Sequence, residues 1–378
     1  MNADAVLNVY IDLNLLLVAG IGVWLALRWV LSKSKLGLEF IRQQKVLTWM
    51  VAGLLLAPLL ADWLSGSLIT GAPNLSDMLV AQYLNGNVGM SAQDFQGWLS
   101  AREGFERDML LGQSGLAQVI WAGLALGALV SVLFTLRAAL ALRGIVKRSY
   151  LLRKIGQVEL RVSDTTRVAF STRGLRKRYV VLPAAMLEAG EDLHMVVAHE
   201  LQHFRHGDVE VEFLFEALRP LLFWNPAFFL WRQEIRAMRE YACDQALVRR
   251  HGFDARAYCE CLIRACERAM AAQRGVQLST PTVGLVDLRA KRRGATLRRR
   301  IEAATVARNS REARMGWMML SLSLVSLTFA TALLIQRPAD WSHDRIMLST
   351  IVNLERMKAR NATAESTTMP EGFVFSTY

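Results

Sequence analysis

A chain of 378 residues, 53% of them hydrophobic and with a formal charge of +12, is long enough for a membrane bundle plus one domain with its own core. Its long apolar runs exclude a wholly soluble protein, and its four cysteines, all between 243 and 266, exclude a disulfide-stapled secreted scaffold. The positive surplus would suit nucleic acid, but no DNA- or RNA-binding motif accompanies it and membrane topology accounts for it, so no direct nucleic-acid partner is expected.

A hydrocarbon core about 30 Å thick takes about 20 apolar helical residues to cross. Runs at about 13–31, 46–64, 116–136 and 315–336 meet that demand. The first carries Arg28 near its end, free to snorkel, and the second is interrupted by Pro58 and Asp62. The opening MNADAVLN lacks the basic flank of a signal peptide, so the first run is expected to remain as an anchor. Loop 32–45 holds Lys33, Lys35, Arg42 and Lys45 against Glu39, and Arg137, Arg143, Lys147, Arg148, Arg153 and Lys154 follow the third run. Loop 65–115 offers Arg102 and Arg107 against Asp77, Asp94, Glu103, Glu106 and Asp108. The positive-inside rule therefore puts loop 32–45 and residues 143–314 in the cytoplasm, with both termini and loop 65–115 outside. Segment 143–314 has 32 Lys/Arg against 19 Asp/Glu, which accounts for the charge of the chain.

Within loop 65–115, DFQGWLSAREGFERDMLL (94–111) has the spacing of a short amphipathic helix. After the third run, QVELRVSD (157–164), TRVAFST (166–172) and RYVVLP (178–183) predict short β-strands, and from Glu191 the period becomes helical. An edge strand of such a sheet can hold an extended peptide by main-chain pairing, although the spacing does not say which strand is the edge. Residues 209–231 contain Glu210, Glu212, Glu216, Arg219, Pro220 and Pro226 and so predict a helix and turn rather than a span. Their aromatic residues Phe223, Trp224, Phe228, Phe229 and Trp231 are expected to rest on the membrane interface, with an ordinary core as the competing reading. Cys259, Cys261 and Cys266 are expected to be core thiols rather than a second metal site, with Cys259 and Cys266 on one helical face.

The segment AHELQHFRHGD (198–208) brings His199, Glu200 and His203 together on the predicted helix. Histidines at i and i+4 share a face and can grip one zinc, and the intervening glutamate can take a proton from water activated by the metal. A catalytic zinc needs a third protein ligand and one open position. REYACDQALV (239–248) offers Glu240 as that ligand, with Glu234 as its rival, while Asp244, four residues on, can accept the N–H of a ligand histidine. Tyr241 is one of several candidates for stabilising the oxyanion.

HELQHFRHGD, FWNP and REYACD together resemble the BlaR/MecR type of membrane zinc peptidase, within the gluzincin class. AFSTRGLRKRYVVLP, FDARAYCECLIRA and LRRRIEA extend the likeness over roughly 150–336. The resemblance implies His199, His203 and Glu240 as zinc ligands, Glu200 as general base, and Asp208 as a recurrent acid that packs helices or supports a ligand. His206-Gly207 departs from the family, which more often has a basic then a polar residue there. Beyond the fourth run stand only about 42 residues, without an S-x-x-K nucleophile motif or a penicillin-binding domain, so β-lactam sensing is not implied.

The expectation is an α-helical membrane protein with four transmembrane helices and a cytoplasmic α+β gluzincin-type zinc peptidase domain. Residues 1–142 form the membrane region, 143–314 the peptidase, 315–336 the fourth span and 337–378 a short outward tail that ends in NATAESTTMPEGFVFSTY, polar and flexible until bound. One Zn2+ per chain would serve a metalloendopeptidase of the bacterial inner membrane that cuts a cytoplasmic repressor or regulator. Membrane lipids are further partners, and a dimer is compatible with the sequence. A quality-control protease like HtpX or Ste24 and a non-enzymatic scaffold are the competing readings. The run AKRRGATLRRR (290–300), expected to include an exposed loop around Gly294, is read as a solvated basic flank, with self-cleavage there as the second reading. Loop 65–115 and the tail are expected to form a joint sensor or docking site.

Overall fold

The computed structural model of the chain describes residues 3–67, 75–174, 176–188, 190–271, 283–284, 293–305, 311–335 and 343–368. Helices α1 (Ala3–Leu31), α2 (Phe40–Ser67), α3 (Leu75–Leu84), α4 (Ala92–Leu111) and α5 (Gly115–Arg148) come first. Strands β1 (Tyr150–Ile155), β2 (Val158–Ser163), β3 (Phe170–Arg173) and β4 (Arg178–Pro183) follow. Then come α6 (Glu191–His206), α7 (Asp208–Leu222), α8 (Pro226–His251), α9 (Ala255–Ala271), β5 (Val283–Gly284), α10 (Arg293–Thr305), α11 (Arg311–Ile335) and α12 (His343–Thr368). Four of these helices are long and apolar enough to cross a membrane, over Val6–Leu31, Phe40–Ala61, Gly115–Arg148 and Arg314–Ala332, and every predicted run overlaps one of them. Helix α2 continues through Pro58 rather than stopping there. A proline removes one backbone donor, and helices that span membranes tolerate that loss where neighbours satisfy the freed carbonyl.

The chain forms two compact units, one of Met1–Leu16, Leu55–Ile120 and Ser326–Tyr378, the other of Leu17–Leu54 and Trp121–Val325. In the first, Val80 of α3, Ala92 and Phe95 of α4, and Leu348 and Val352 of α12 make a small buried core, with Tyr83 stacked on Phe95 at 4.3 Å between ring centroids. Ser91 caps α4 by accepting from the Asp94 amide, and Gly112 ends it at φ +61, in the left-handed region where glycine carries no Cβ penalty. The predicted helix at 94–111 is thus present, two residues longer. In the tail, residues 343–368 are helical, because Leu348, Ile351 and Val352 form an apolar stripe that α3 and α4 cover; the stretch expected to be flexible until bound, 361–378, is helical through Thr368. Residues 337–342 and 369–378 lie outside the described residues.

In the second unit the sheet order is β1-β2-β4-β3-β5, with β2 parallel to β4 and the other pairs antiparallel. The three predicted strands correspond to β2, β3 and β4. Strand β1 escaped the sequence reading because YLLRKI is exposed on both faces and lacks an alternating pattern. Val158, Leu160, Val180 and Leu182 face a core with Met195, Val196 and Phe204 of α6 and Tyr258, Cys261 and Leu262 of α9. Phe170 and Val181 instead pack against Leu142, Ile145 and Val146, so the end of α5 runs past its apolar stretch and covers part of the sheet. Complete burial of Val180 and Leu182 contributes about 1.5–3 kcal/mol each.

Arg28 is not free to snorkel, since it pairs with Glu234 of α8, which also accepts from Trp24 Nε1 at 3.3 Å. That contact removes Glu234 from the candidate ligands. Gly20 allows the helices to approach this closely, because a Cβ there would lie 2.7 Å from Leu54 Cδ1. The aromatic stretch divides: Phe228 and Trp231 are buried, with Trp231 Nε1 donating to the Leu17 carbonyl at 3.0 Å, while Trp224 and Phe229 are exposed. The core reading therefore holds for the first pair. Among the cysteines Cys243 and Cys261 are buried, whereas Cys259 and Cys266 are partly exposed, so the buried face of α9 passes through Cys261 and Leu262 instead. Gly294 lies in the first turn of α10 rather than in a loop, and 290–292 lie outside the described residues.

Candidate active site

Helix α6 begins at Glu191, as its periodicity predicted, and turns His199, Glu200 and His203 inward, where none has measurable exposure. It ends at Gly207, whose φ of +75 reverses the chain so that α7 starts at once with Asp208. This turn, which the departure from the family pattern places at a glycine, brings the Asp208 carboxylate back to His203. Helix α8 is opened by Asn225, whose side chain accepts from the Ala227 amide, followed by Pro226 at its first position; the FWNP stretch is a helix start. That helix carries Glu240, Cys243 and Asp244 to the same place.

His199 Nε2 lies 3.5 Å from Glu240 Oε2, and His203 Nε2 lies 3.7 Å from Glu240 Oε1. Donor atoms of the three residues all lie within 4.8 Å of one another and can hold a metal ion. Three ligand atoms at about 2.0–2.1 Å from one tetrahedral ion would be about 3.3 Å apart, close to the spacings observed. Both Nε2 atoms are buried without a hydrogen-bond partner, a costly arrangement unless something binds there. The donor set therefore fits a metal.

The outer nitrogens explain why the inner ones are bare. Tyr258 Oη donates to Asp244 Oδ1 at 2.7 Å, so its oxygen is left to accept from His199 Nδ1–H at 2.9 Å. His203 Nδ1–H donates to Asp208 Oδ2 at 2.8 Å. With the proton on Nδ1, each neutral ring turns an Nε2 lone pair toward Glu240. Burial holds the His203 imidazole well below its ordinary value, in the neutral form that a ligand needs, although the Glu240 charge opposes it. Burial alone would raise Glu240, but neighbouring His199, Arg300 and His203 outweigh it and keep its carboxyl below the usual range. Burial also pushes the Asp208 carboxyl up to about 7 against the charge of Arg239, and keeps the Cys243 thiol protonated.

Four contributors come from elements remote in the chain. Arg300 of α10 grips Asp244 with two bonds of 2.7 Å and reaches Glu240 Oε2 at 3.4 Å. Tyr258 belongs to α9. Ser171 of β3 donates to Glu200, with its Oγ 2.5 Å from Oε2 and 2.9 Å from the main-chain oxygen. Gln44 of α2 donates to Asp208 Oδ1. Sequence reasoning missed all four, yet Ser171, Tyr258 and Arg300 stand inside AFSTRGLRKRYVVLP, FDARAYCECLIRA and LRRRIEA, stretches that carried the resemblance; a polar residue within each was the available signal. Asp244, expected to accept a histidine N–H, lies 3.4 Å from His199 Nδ1 and is linked to it through the Tyr258 hydroxyl. Tyr241 packs edge-on against Phe40 at 5.4 Å, and Glu234 and Arg28 contribute to its surroundings.

A buried Glu212 supports the α7–α8 contact. Burial would raise its carboxyl, but Arg239, Arg236 and Arg232 outweigh it and hold it far below the ordinary range. Arg239 also donates to the Asp208 carbonyl at 3.1 Å, which ties this network to the turn after α6.

A comparison with curated proteins finds no match. The family described as BlaR1 peptidase M56 has a model that matches residues 105–289, from within α4 through the sheet, α6, α7, α8 and α9. His199, His203 and Glu240 all gather within that matched segment, so residues 105–289 are similar to a family of metallopeptidases over the stretch that builds the site.

Proposed function

We propose that the protein is a zinc metalloendopeptidase of the bacterial inner membrane, with its active site on the cytoplasmic side. The observation that carries this reading is the pair of buried, unpartnered Nε2 atoms aimed at the Glu240 carboxylate. His199, His203 and Glu240 would hold the ion, with two histidines and a carboxylate leaving one position for water or substrate. A zinc ion bound there supplies a Lewis acid that polarises the scissile carbonyl and makes water more acidic. Glu200 takes the proton at a carboxylate oxygen and later delivers it to the leaving amine nitrogen. Ser171 holds that carboxylate, so the base does not swing between rotamers during the transfer. Asp208 and the Asp244–Tyr258 pair keep both histidines in the ligand tautomer.

Substrate would add as a strand on the β5 side of the sheet, next to β3, the strand that touches Glu200. Val283–Gly284 of this chain already pairs antiparallel with Phe170 and Ser171, which supports main-chain pairing as the mode of recognition. The substrate is a cytoplasmic regulator or repressor rather than a set of damaged membrane proteins. Support comes from the packing of α12 on α3 and α4, which joins the outward loop and the tail into one small body suited to receive a stimulus. The positive-inside pattern supports the orientation.

Substrate trapping in cells with Glu200→Gln tests both levels. Capture of one soluble regulator is the expected result. Capture of many membrane proteins would replace the signalling role with quality control, and cleavage at the wild-type rate by the variant would remove the catalytic assignment.

A further inference from the structure

The turn between β3 and β4, RGLRKR (173–178), places Arg173, Arg176, Lys177 and Arg178 beside the strand that touches the catalytic base. Their ion pairs use two carboxylates. Lys177 bonds Glu159 Oε1 at 2.6 Å, and Arg161 takes the other oxygen of that carboxylate at 3.1 Å. Arg173 and Arg178 both reach one oxygen, Glu210 Oε1, at 3.1 and 3.2 Å. Arg176 is exposed and has no ion pair among the described residues. The turn therefore stays positive after its pairs are counted. A guanidinium fork carries five N–H donors, and Arg173 and Arg178 each spend one on the shared oxygen. Their side chains are 39% and 40% exposed, so a second carboxylate can reach them.

Strand register aims this charge at the substrate. Arg173 and Arg178 are directly opposite in the β3–β4 ladder, and Glu210 of α7 bridges them. Side chains alternate along a strand, so Arg173 shares a face with Ser171, whose Oγ meets Glu200. The two residues are about 7 Å apart along β3. On the other side of β3, Val283 pairs with Ser171 and Gly284 with Phe170, antiparallel. A substrate strand next to β3 in that register puts the residue two positions before the one facing Ser171 opposite Arg173. Opposed Cβ atoms in such a pair are about 4.5–5.5 Å apart, within reach of a guanidinium. We infer that Arg173, backed by Arg178 and Arg176, selects substrates with Asp or Glu at that position. The inference rests on the peptidase reading above and names one subsite of it. An acid there continues the row Arg178–Arg173 with the opposite charge and accepts N–H groups that Glu210 does not use.

The test uses the full chain in detergent with zinc and a library of synthetic peptides of randomised sequence, the cuts being mapped by mass spectrometry against a Glu200→Gln blank. Wild type is expected to favour Asp or Glu over Lys about tenfold in kcat/KM at one fixed position relative to the cut. Arg173→Gln should abolish that preference. Arg173→Glu, which faces Arg178 across the ladder and so keeps an ion pair there, should reverse it toward Lys or Arg at the same position. Binding supplies a readout apart from turnover. Glu200→Gln should hold a fluorescein-labelled acidic peptide about fivefold tighter than its lysine-substituted twin, and Glu200→Gln/Arg173→Gln should hold the two alike. Wild-type cleavage indifferent to charge at every position, or an acidic preference that survives both Arg173 variants, would overturn the subsite and leave the peptidase reading standing. Cutting that proceeds equally in Glu200→Gln would remove that reading and the subsite with it.

Discussion

The cluster built by α6, α7, α8, α9 and α10 and the cluster built by α3, α4 and α12 are both buried, but from opposite materials. The second closes on Val80, Phe95, Leu348 and Val352, groups that gain by leaving water and need no partner of defined geometry. The first buries His199, Glu200, His203, Asp208, Glu240, Asp244 and Arg300, groups whose desolvation is costly unless each finds a partner. Their partners are found atom by atom, and the three atoms left over, the histidine Nε2 pair and Glu240 Oε2, mark the place where chemistry is possible. An apolar cluster degrades gradually when trimmed; a polar one fails at particular atoms.

The largest effect expected of that difference is at Glu200. Glu200→Gln should lower cleavage of the trapped substrate by about 10²–10⁴-fold while metal stays near one ion per chain, since the base is not a ligand. Parallel loss of metal in that variant would show that Glu200 has been misassigned. Glu240→Ala should instead lose most of its metal during purification, and full retention by elemental analysis would refute the third-ligand role.

Next come the supports. Asp244→Ala, Arg300→Met and Tyr258→Phe should each weaken metal affinity by about 10- to 100-fold, as the loss of an orienting partner does. A competition titration with a zinc chelator measures this, and affinities equal to wild type would mean that these residues only pack helices. The apolar cluster should behave otherwise: Leu348→Ala should destabilise the α3–α4–α12 body by about 2–5 kcal/mol with metal affinity unchanged. Hydrogen exchange of α12 amides, read beside the chelator titration, checks both halves.

The smallest effect concerns pH. Arg264 and Arg268 bond the Asp192 carboxyl and outweigh the burial that opposes them, so its value in the folded chain is below the ordinary one. Such a group contributes stability above its unfolded value, about 3.9, and loses it as pH falls through the lower folded value. Because both arginines are exposed, Asp192→Asn should cost only about 1 kcal/mol at neutral pH. Denaturation curves of variant and wild type should converge as the pH falls through the lowered folded value. A difference that persists at low pH would show that the contact is not an ion pair.

Much of the centre was legible because it depends on local geometry. Histidines at i and i+4, a glutamate between them, and Glu240 with Asp244 one turn apart share a face on any helix, whatever surrounds it. The four span candidates were legible for a similar reason, since length and apolarity alone decide whether a helix can cross a bilayer. Illegible were partners joined by the folding of separate elements: Ser171 to Glu200, Gln44 to Asp208, Tyr258 to His199 and Arg300 to Asp244. The readings that failed did so in the same way. Arg28 reads as a snorkelling cation until Glu234 arrives from α8, and Glu234 reads as a rival ligand until Arg28 and Trp24 claim it.

By itself, then, the sequence determined which residues could share a candidate metal site, their order on each helix, and the helices able to enter a membrane, because side-chain periodicity and transfer free energy are local properties. Only the tertiary structure decided which nitrogen of each histidine is free, which carboxylate faces them, and which arginine neutralises it. Those outcomes depend on distances of a few ångströms between groups far apart along the chain, and no spacing within one element encodes them.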